Sequence, residues 1–131
     1  MIRVYVIHVP EDIPSYDKLA GECRGARLSA EFDRMQVKQP WVPAWKTQTW
    51  NRIYKCDGVI VLLSKHTNAG GIAWELECAQ KFDLPMLGIH VDKTKAGNVP
   101  DELRNWTVIE WSWPEISKFI RSLDKGSTAS A

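Results

Sequence analysis

One apolar run restricts the fold of this chain more than any other segment. Residues 58–64 read Gly-Val-Ile-Val-Leu-Leu-Ser, without alternation between apolar and polar positions. A strand that is apolar on both faces is buried on both faces, which is typical of parallel sheets covered by helices. We therefore predict a central strand at residues 58–64, inside a layered α/β domain.

Strand and helix patterns alternate along the rest of the chain. Apolar and β-branched runs predict further strands at residues 2–7, 27–33, 85–91 and 107–111. Apolar residues at helical spacing predict helices at residues 15–23, 45–56, 72–82 and 113–123. This alternation predicts a three-layer, flavodoxin-like α/β fold whose five-stranded, mostly parallel sheet has the order 2-1-3-4-5. The domain is expected to cover residues 1–124, with a disordered tail at residues 125–131.

The composition argues against several classes of partner. Seventeen Lys and Arg side chains against 16 Asp and Glu leave a formal net charge of +1, with no sign of a basic surface for nucleic acid. No apolar run approaches the length of a membrane span. The three cysteines, Cys23, Cys56 and Cys78, form no Cys-x-x-Cys pair, so neither structural zinc nor a disulfide framework is expected. We predict a cytoplasmic protein with reduced thiols.

The predicted strand order directs attention to the loops after strands 1 and 3. These loops flank the topological switch point, where ligands bind in such sheets, and they begin at His8 and Ser64. The helix at residues 72–82 follows strand 3. Its apolar stripe has Glu75 at one edge, about 60° from Ile72, so the carboxylate can lean over the rim beside His8. Trp74 points away from the stripe, which predicts an interface residue or a lid over a pocket.

Glu75 has a structural and a functional interpretation. A carboxylate in the first turn or so of a helix is stabilised by the helix dipole, and this alone can account for its position. Departure of an aromatic base from a ribose leaves an oxocarbenium-like centre, which a well-placed carboxylate stabilises without a metal. Cleavage of a glycosidic bond is therefore the chemistry that Glu75 suggests.

Other chemistries lack their sequence motifs. No Gly-x-Gly-x-x-Gly follows strand 1, no Walker loop occurs, and no Gly-x-Ser-x-Gly surrounds Ser64. Glu11 and Asp12 could imitate the acidic pair of a phosphoryl-receiver domain, but strand 3 ends at Ser64 without an acceptor aspartate. The three histidines lack the spacing of metal ligands, so no metal is expected.

The tryptophans leave two interpretations open. Residues 40–45 read Pro-Trp-Val-Pro-Ala-Trp, a stiff loop in which Trp41 and Trp45 either contact a base or partner or staple the start of a helix. The chain has seven tryptophans, a number that indicates either a recognition surface or extensive core packing.

These segments together resemble the TIR-like family, a group of flavodoxin-like domains that includes the TIR-like subunit of the Thoeris antiphage system. The resemblance covers residues 2–123. It rests on the strand at residues 3–8, the loop with Trp41 and Trp45, and residues 56–64. Its most specific parts are residues 74–79, Trp-Glu-Leu-Glu-Cys-Ala, and residues 84–89, Leu-Pro-Met-Leu-Gly-Ile.

The resemblance implies an activity. In TIR enzymes the corresponding glutamate cleaves the nicotinamide–ribose bond of NAD, which implies that Glu75 is the catalytic residue of an NAD nucleosidase or ADP-ribosyl cyclase. The expected ligand-binding residues are His8, Trp41, Trp45, Ser64 and Trp74. NAD would be the substrate. The product in the Thoeris relatives is a cyclic ADP-ribose isomer or a related nucleotide, which activates an effector protein, and self-association is expected.

Two other functions fit the same fold. A non-enzymatic TIR-like adaptor would self-associate through its tryptophan-rich faces and turn over no substrate. An enzyme similar to nucleoside deoxyribosyltransferases would use Glu75 as a covalent nucleophile, exchange bases on deoxynucleosides and leave NAD intact.

Overall fold

The computed structural model describes residues 1–35, 43–92 and 99–124. The strands are β1 (Ile2–Ile7), β2 (Ala30–Asp33), β3 (Gly58–Leu63), β4 (Met86–His90) and β5 (Thr107–Glu110). The helices are α1 (Ile13–Gly25), α2 (Pro43–Tyr54), α3 (Ala69–Lys81) and α4 (Trp113–Ser122). Single 3-10 turns cover Pro10–Asp12 and Asp101–Leu103.

The strands form one parallel sheet in the order β2-β1-β3-β4-β5, which confirms the predicted fold class and strand order. Ile7 lies opposite Val61, and Leu63 lies opposite His90, so the carboxyl ends of the three central strands meet at one edge. The chain leaves β1 towards β2 on one side and returns to β3 on the other. The topological switch point therefore falls between β1 and β3.

Helices cover both faces of the sheet and create two separate cores. Tyr5 and Ile7 of β1 belong to the core beneath α2 and α3, while Val4 and Val6 belong to the core beneath α1 and α4. Strand β3 is buried at every position, and its residues alternate between the two cores. Burial on both faces of the sheet therefore explains why residues 58–64 lack alternation between apolar and polar positions, as predicted from the sequence.

Some element boundaries differ from the prediction. Helix α3 begins at Ala69, three residues before the predicted start, and β2 begins at Ala30 rather than at residue 27. Arg27 has a φ of 54°, and the next amide, that of Leu28, donates to the carbonyl of Cys23. This left-handed residue ends α1 as a glycine commonly does. Because it is an arginine, the sequence did not mark the helix end.

Some predictions concern residues outside the described ranges. The tail at residues 125–131 lies there, and so does Trp41. In the described part of the chain, no helix is both long and apolar enough to cross a bilayer.

We expect Gly58→Ala to lower the free energy of unfolding by about 1–3 kcal/mol, the usual cost of overpacking a core. A Cβ atom at Gly58 would lie 2.6 Å from Cδ1 of Leu123, which is itself buried. Urea denaturation at pH 7 measures the loss. In a Leu123→Ala background, which removes the close contact, Gly58→Ala should lower the free energy of unfolding by less. Gly25→Ala is the control, because no atom lies within 4 Å of the added carbon; equal losses at both glycines would contradict the packing argument.

Candidate functional site

Glu75 lies inside the protein, between helix α3 and the sheet. It is 1% exposed, and its carboxylate accepts a hydrogen bond from the Tyr5 hydroxyl at 2.6 Å. Tyr5 belongs to β1 and is separated from Glu75 by 70 positions in the chain. The fold thus brings the predicted catalytic residue to a tyrosine that the sequence analysis did not single out.

The strand register shows how far this pair lies from the edge of the sheet. Tyr5 is opposite Asp33 of β2 and Val59 of β3, two residues before Ile7, where β1 ends. Glu75 itself lies in the second turn of α3, because the helix begins earlier than predicted. The sequence placed Glu75 in the first turn or so, and the structure places it one turn further from the start of the helix.

Burial controls the protonation of the groups around Glu75. Burial, followed by the charge of Glu75, raises the pKa of Tyr5 far above its ordinary value, so Tyr5 remains a neutral donor. Burial, together with the charges of Glu77 and Glu75, raises the pKa of Cys78 to about 12. The Cys78 thiol is therefore protonated near neutral pH and is not an activated nucleophile. Among the buried side chains Tyr5, Glu75 and Cys78, only Glu75 carries a carboxyl group.

A second polar centre spans the switch point between β1 and β3. The Ser64 hydroxyl donates to Oδ2 of Asp12 at 2.8 Å, and both side chains are buried, at 1% and 5% exposure. Ser64 follows β3 directly, while Asp12 ends the 3-10 turn after β1. The amide of His66 donates to the Ser64 hydroxyl oxygen, and Ser64 is thus held from two sides.

Burial and the neighbouring groups shift the pKa of Asp12 in opposite directions. Burial raises the pKa of the Asp12 carboxyl group, while the hydrogen bond from Ser64 and the nearby His66 and His8 imidazoles lower it, and the rise prevails. His8 is buried, its Nδ1 donates to the Val9 carbonyl at 2.7 Å, and its ring packs against Tyr16. The structure thus groups the predicted residues His8 and Ser64 around Asp12.

Trp45 and Trp74 have different environments. Trp45 is 5% exposed, and its indole Nε1 has no acceptor within the described residues. A buried donor without a partner is rare and costs free energy, so it calls for an explanation such as a bound group. Trp74 instead donates from Nε1 to the Lys46 carbonyl, and its ring stacks on Trp50. This half-buried side chain joins α3 to α2, in contrast to the exposed position expected from the sequence.

Two clefts lined by residues that the structure describes lie away from these polar centres. A cleft of about 340 Å³ beside β2 is lined by charged groups that include Arg3 and Asp33, and another of about 380 Å³ adjoins β5 and includes Trp106. Neither is lined by Glu75, Asp12 or Ser64. Among the described residues, no three His, Cys, Asp or Glu side chains gather in a geometry that could hold a metal ion.

Comparison with known proteins supports the fold and no narrower assignment. No protein-family profile matches the chain, and no curated protein is significantly similar in sequence. Among solved structures, a 2-deoxyribosyltransferase from Bacillus psychrosaccharolyticus is similar with a TM-score of 0.63 and 13% identity, over 92% of this chain and 95% of that one. A conserved protein from Enterococcus faecalis V583 has a TM-score of 0.67 and 11% identity, over 93% and 98%.

A prokaryotic SEFIR domain is also similar, with a TM-score of 0.53 and 16% identity, over 94% of this chain and 96% of that one. The chain has an α/β, flavodoxin-like fold, and it shares this fold with solved structures described as a 2-deoxyribosyltransferase and as a SEFIR domain.

Replacing Tyr5 by Phe is expected to lower the free energy of unfolding by about 1–3 kcal/mol, because buried Glu75 loses a hydrogen-bond donor. Chemical denaturation at pH 7 measures the change. Tyr54→Phe is the matched control, since Tyr54 is 68% exposed and its change should stay within about 0.5 kcal/mol. Equal stability of the wild type and Tyr5→Phe would show that the bond does not hold Glu75 in place.

Asp12→Asn is expected to raise the thermal midpoint at pH 7. A carboxyl group whose pKa is higher in the folded than in the unfolded state destabilises the fold when it is ionised. That penalty is present above the folded-state pKa and disappears as the pH falls through it towards the ordinary value. The stability difference between wild type and variant should therefore shrink on acidification, as measured by calorimetry from pH 7 to pH 4. Asp17→Asn, at an exposed position of α1, serves as the control. A lower thermal midpoint for Asp12→Asn than for the wild type at pH 7 would show that the ionised Asp12 carboxyl group does not destabilise the fold.

Proposed function

We propose that this protein cleaves the N-glycosidic bond of a nucleotide and that Glu75 is the catalytic residue. The observation that carries the proposal is the buried Glu75 carboxylate, which accepts a hydrogen bond from the Tyr5 hydroxyl on the face of the sheet covered by α2 and α3. A buried carboxylate costs free energy that a purely structural role on a helix surface would not require. NAD is the first candidate substrate.

The chemistry follows from charge development. As the base leaves, its bonding electrons depart with it and the anomeric carbon becomes oxocarbenium-like, with positive charge shared with the ring oxygen. Water, or a ring nitrogen of the substrate's own second base, then bonds to this carbon; water gives up a proton in doing so. A fixed carboxylate in a buried site stabilises the developing positive charge strongly, because the effective dielectric constant is low. Tyr5 acts as a positioning residue: it stays protonated and fixes the direction of the Glu75 carboxylate. Since Glu75 is 1% exposed, neighbouring side chains must move when a substrate binds.

Two kinds of similarity support this reaction class. The fold resembles a solved structure described as a 2-deoxyribosyltransferase, a protein that acts on a bond between a sugar and a base. The fold also resembles a SEFIR domain, and the motif at residues 74–79 resembles that of TIR enzymes, in which the glutamate acts on NAD. In the reaction that the TIR resemblance implies, the bond that breaks joins a ribose carbon to the nicotinamide nitrogen.

Deoxyribosyl transfer is the second candidate function. The same Glu75 carboxylate would attack the anomeric carbon, expel the base and form a glycosyl-enzyme intermediate, which a second base would then resolve. The observation that favours it is the fold similarity to a 2-deoxyribosyltransferase. Base exchange between deoxynucleosides, without NAD consumption, separates this reaction from the first.

The TIR-like resemblance supports a wider biological role. We propose that the protein acts in antiphage defence, that it makes a cyclic ADP-ribose-type messenger which activates an effector protein, and that it self-associates. An adaptor without turnover is the corresponding non-enzymatic proposal. The half-buried aromatic side chains of α2 and α3 pack against one another within the chain, so they do not by themselves favour an adaptor surface.

Glu75→Gln is expected to reduce the release of nicotinamide from NAD at least about 100-fold, the usual effect of removing one preorganised charge-stabilising group. The amide keeps the size of the side chain and can still accept the Tyr5 hydrogen bond, while the negative charge is lost. Liquid chromatography of nicotinamide and of free bases measures turnover, with NAD and with pairs of deoxynucleosides and free bases as parallel substrates.

The control is Glu77→Gln, two residues further along the same helix and exposed to solvent. It should keep wild-type turnover. Full activity of Glu75→Gln would refute the proposed mechanism. No turnover by the wild type with either substrate, at concentrations where the protein self-associates, would favour the adaptor.

A further inference from the structure

Strand β5 forms one edge of the sheet. Within the described residues it pairs with β4 alone, and Gly88 lies opposite Val108. The unpaired backbone groups of such an edge are a template for pairing with another strand. Proteins commonly block their edges with proline or lysine, and β5, which reads Thr-Val-Ile-Glu, contains neither.

The hydrogen bonds of the sheet show which backbone groups of β5 point outwards. The amide of Val91, just beyond β4, donates to the Leu63 carbonyl of β3, so the odd-numbered residues of this segment face β3. Successive residues of a strand direct their backbone groups to opposite sides, so Gly88 faces β5 and bonds the odd-numbered residues there. The N–H and C=O groups of Val108 therefore point away from the sheet.

The cleft of about 380 Å³ beside β5 reaches this edge. Its lining includes Val108, which packs towards the core beneath α2 and α3, and Ile109, which packs towards the other core. Trp106 and Val99 also line the cleft, and their side chains are 40% and 45% exposed. Exposed apolar groups that lie together mark an interaction surface.

A second copy of the chain fits this edge in a register that the backbone selects. A two-fold axis perpendicular to the sheet makes two β5 strands antiparallel and keeps their equivalent faces on the same side. Outward-pointing groups must lie opposite each other, so Val108 pairs with Val108 of the second copy. Trp106 then lies opposite Glu110 of the second copy, where its indole Nε1 donates to a carboxylate oxygen.

The opposite edge of the sheet does not allow the same pairing. In β2, Glu31 and Asp33 form ion pairs with Arg3 and Arg52. A two-fold axis centred on any of residues 31–33 would set two carboxylates opposite each other, and like charges directly opposite destabilise a strand pair. Strand β5 is therefore the edge that accepts a second copy.

We propose that two copies of this protein associate through their β5 strands, which pair antiparallel about Val108 and join the two sheets into one. The two Val108 residues exchange N–H···O=C hydrogen bonds, and the side chains of Trp106 and Val108 from each copy cover the cleft at the shared edge. The assembly is closed, because each copy uses its β5 edge once. The inference is independent of the proposed cleavage at Glu75.

Sedimentation velocity of the full chain over a range of concentrations tests the association. We expect a monomer–dimer equilibrium with a dissociation constant on the order of 10–100 µM, because one pair of edge strands makes a small interface. Trp106→Lys should keep the dissociation constant within about threefold, since it sets opposite charges across the seam, whereas Trp106→Glu should raise it at least about tenfold. Both variants remove the same exposed indole, so the difference between them reports the register. Tyr54→Glu, at another exposed aromatic side chain, is the control and should leave the dissociation constant unchanged.

Disulfide trapping tests the register independently. Val108→Cys should form a covalent dimer on oxidation with copper phenanthroline, because Cα atoms of a hydrogen-bonded antiparallel pair lie about 5.5 Å apart. Thr107→Cys should not, since its own equivalent lies about 8 Å away in this register. The native cysteines do not interfere, because all three are buried: Cys23, Cys56 and Cys78.

A wild type that stays monomeric well above the expected dissociation constant would overturn the proposal and leave this edge to an extended segment of another protein. Equal dimerisation of Trp106→Lys and Trp106→Glu would overturn it as well. Glu75→Gln should dimerise like the wild type, and Trp106→Glu should remain folded, as measured by circular dichroism. Failure of the cleavage reaction is thus seen separately from failure of the pairing.

Discussion

The burial of β3 on both faces is the constraint on which the rest of the structure depends. Its apolar side chains alternate between two cores, so helices must cover both sides of the sheet. With β1 and β4 as neighbours, β3 becomes the centre of a five-stranded sheet, and a switch point opens between β1 and β3. The Asp12–Ser64 pair lies at this point, and α3 starts from the loop that follows it, with Glu75 on its sheet-facing side.

Buried polar groups are concentrated near the carboxyl edge of this sheet. Glu75 and Tyr5 form one pair, and Asp12 and Ser64 form another. Trp45 adds a buried indole donor without an acceptor in the described residues. Each of these groups loses solvation on folding, and an apolar replacement of similar shape would avoid that loss. Functional sites often accept such losses of stability because reactivity and recognition require polar groups in fixed positions.

The local patterns predicted the elements well and the contacts poorly. Glu75 was identified from its helix and its motif, but Tyr5 was read as part of a β-branched, aromatic strand. Nothing in the sequence links two residues that lie 70 positions apart. The sequence indicates Asp12 only as part of an acidic pair like that of receiver domains, because its partner Ser64 is 52 positions away. The start of α3 was placed too late because glycines at positions 70 and 71 weaken a helical pattern. Trp74 was expected to be exposed since a helical wheel shows α3 alone, without α2 beside it.

The sequence by itself determined the parallel α/β architecture, the strand order and the edge of the sheet where polar residues collect. Those features follow from hydrophobic periodicity, which each segment carries independently of the others. Only the tertiary structure decided which polar side chains form pairs and which of them are buried. Hydrogen bonds and burial depend on distances between segments that are remote in the chain, and these distances exist only once β1, β3 and α3 have packed together.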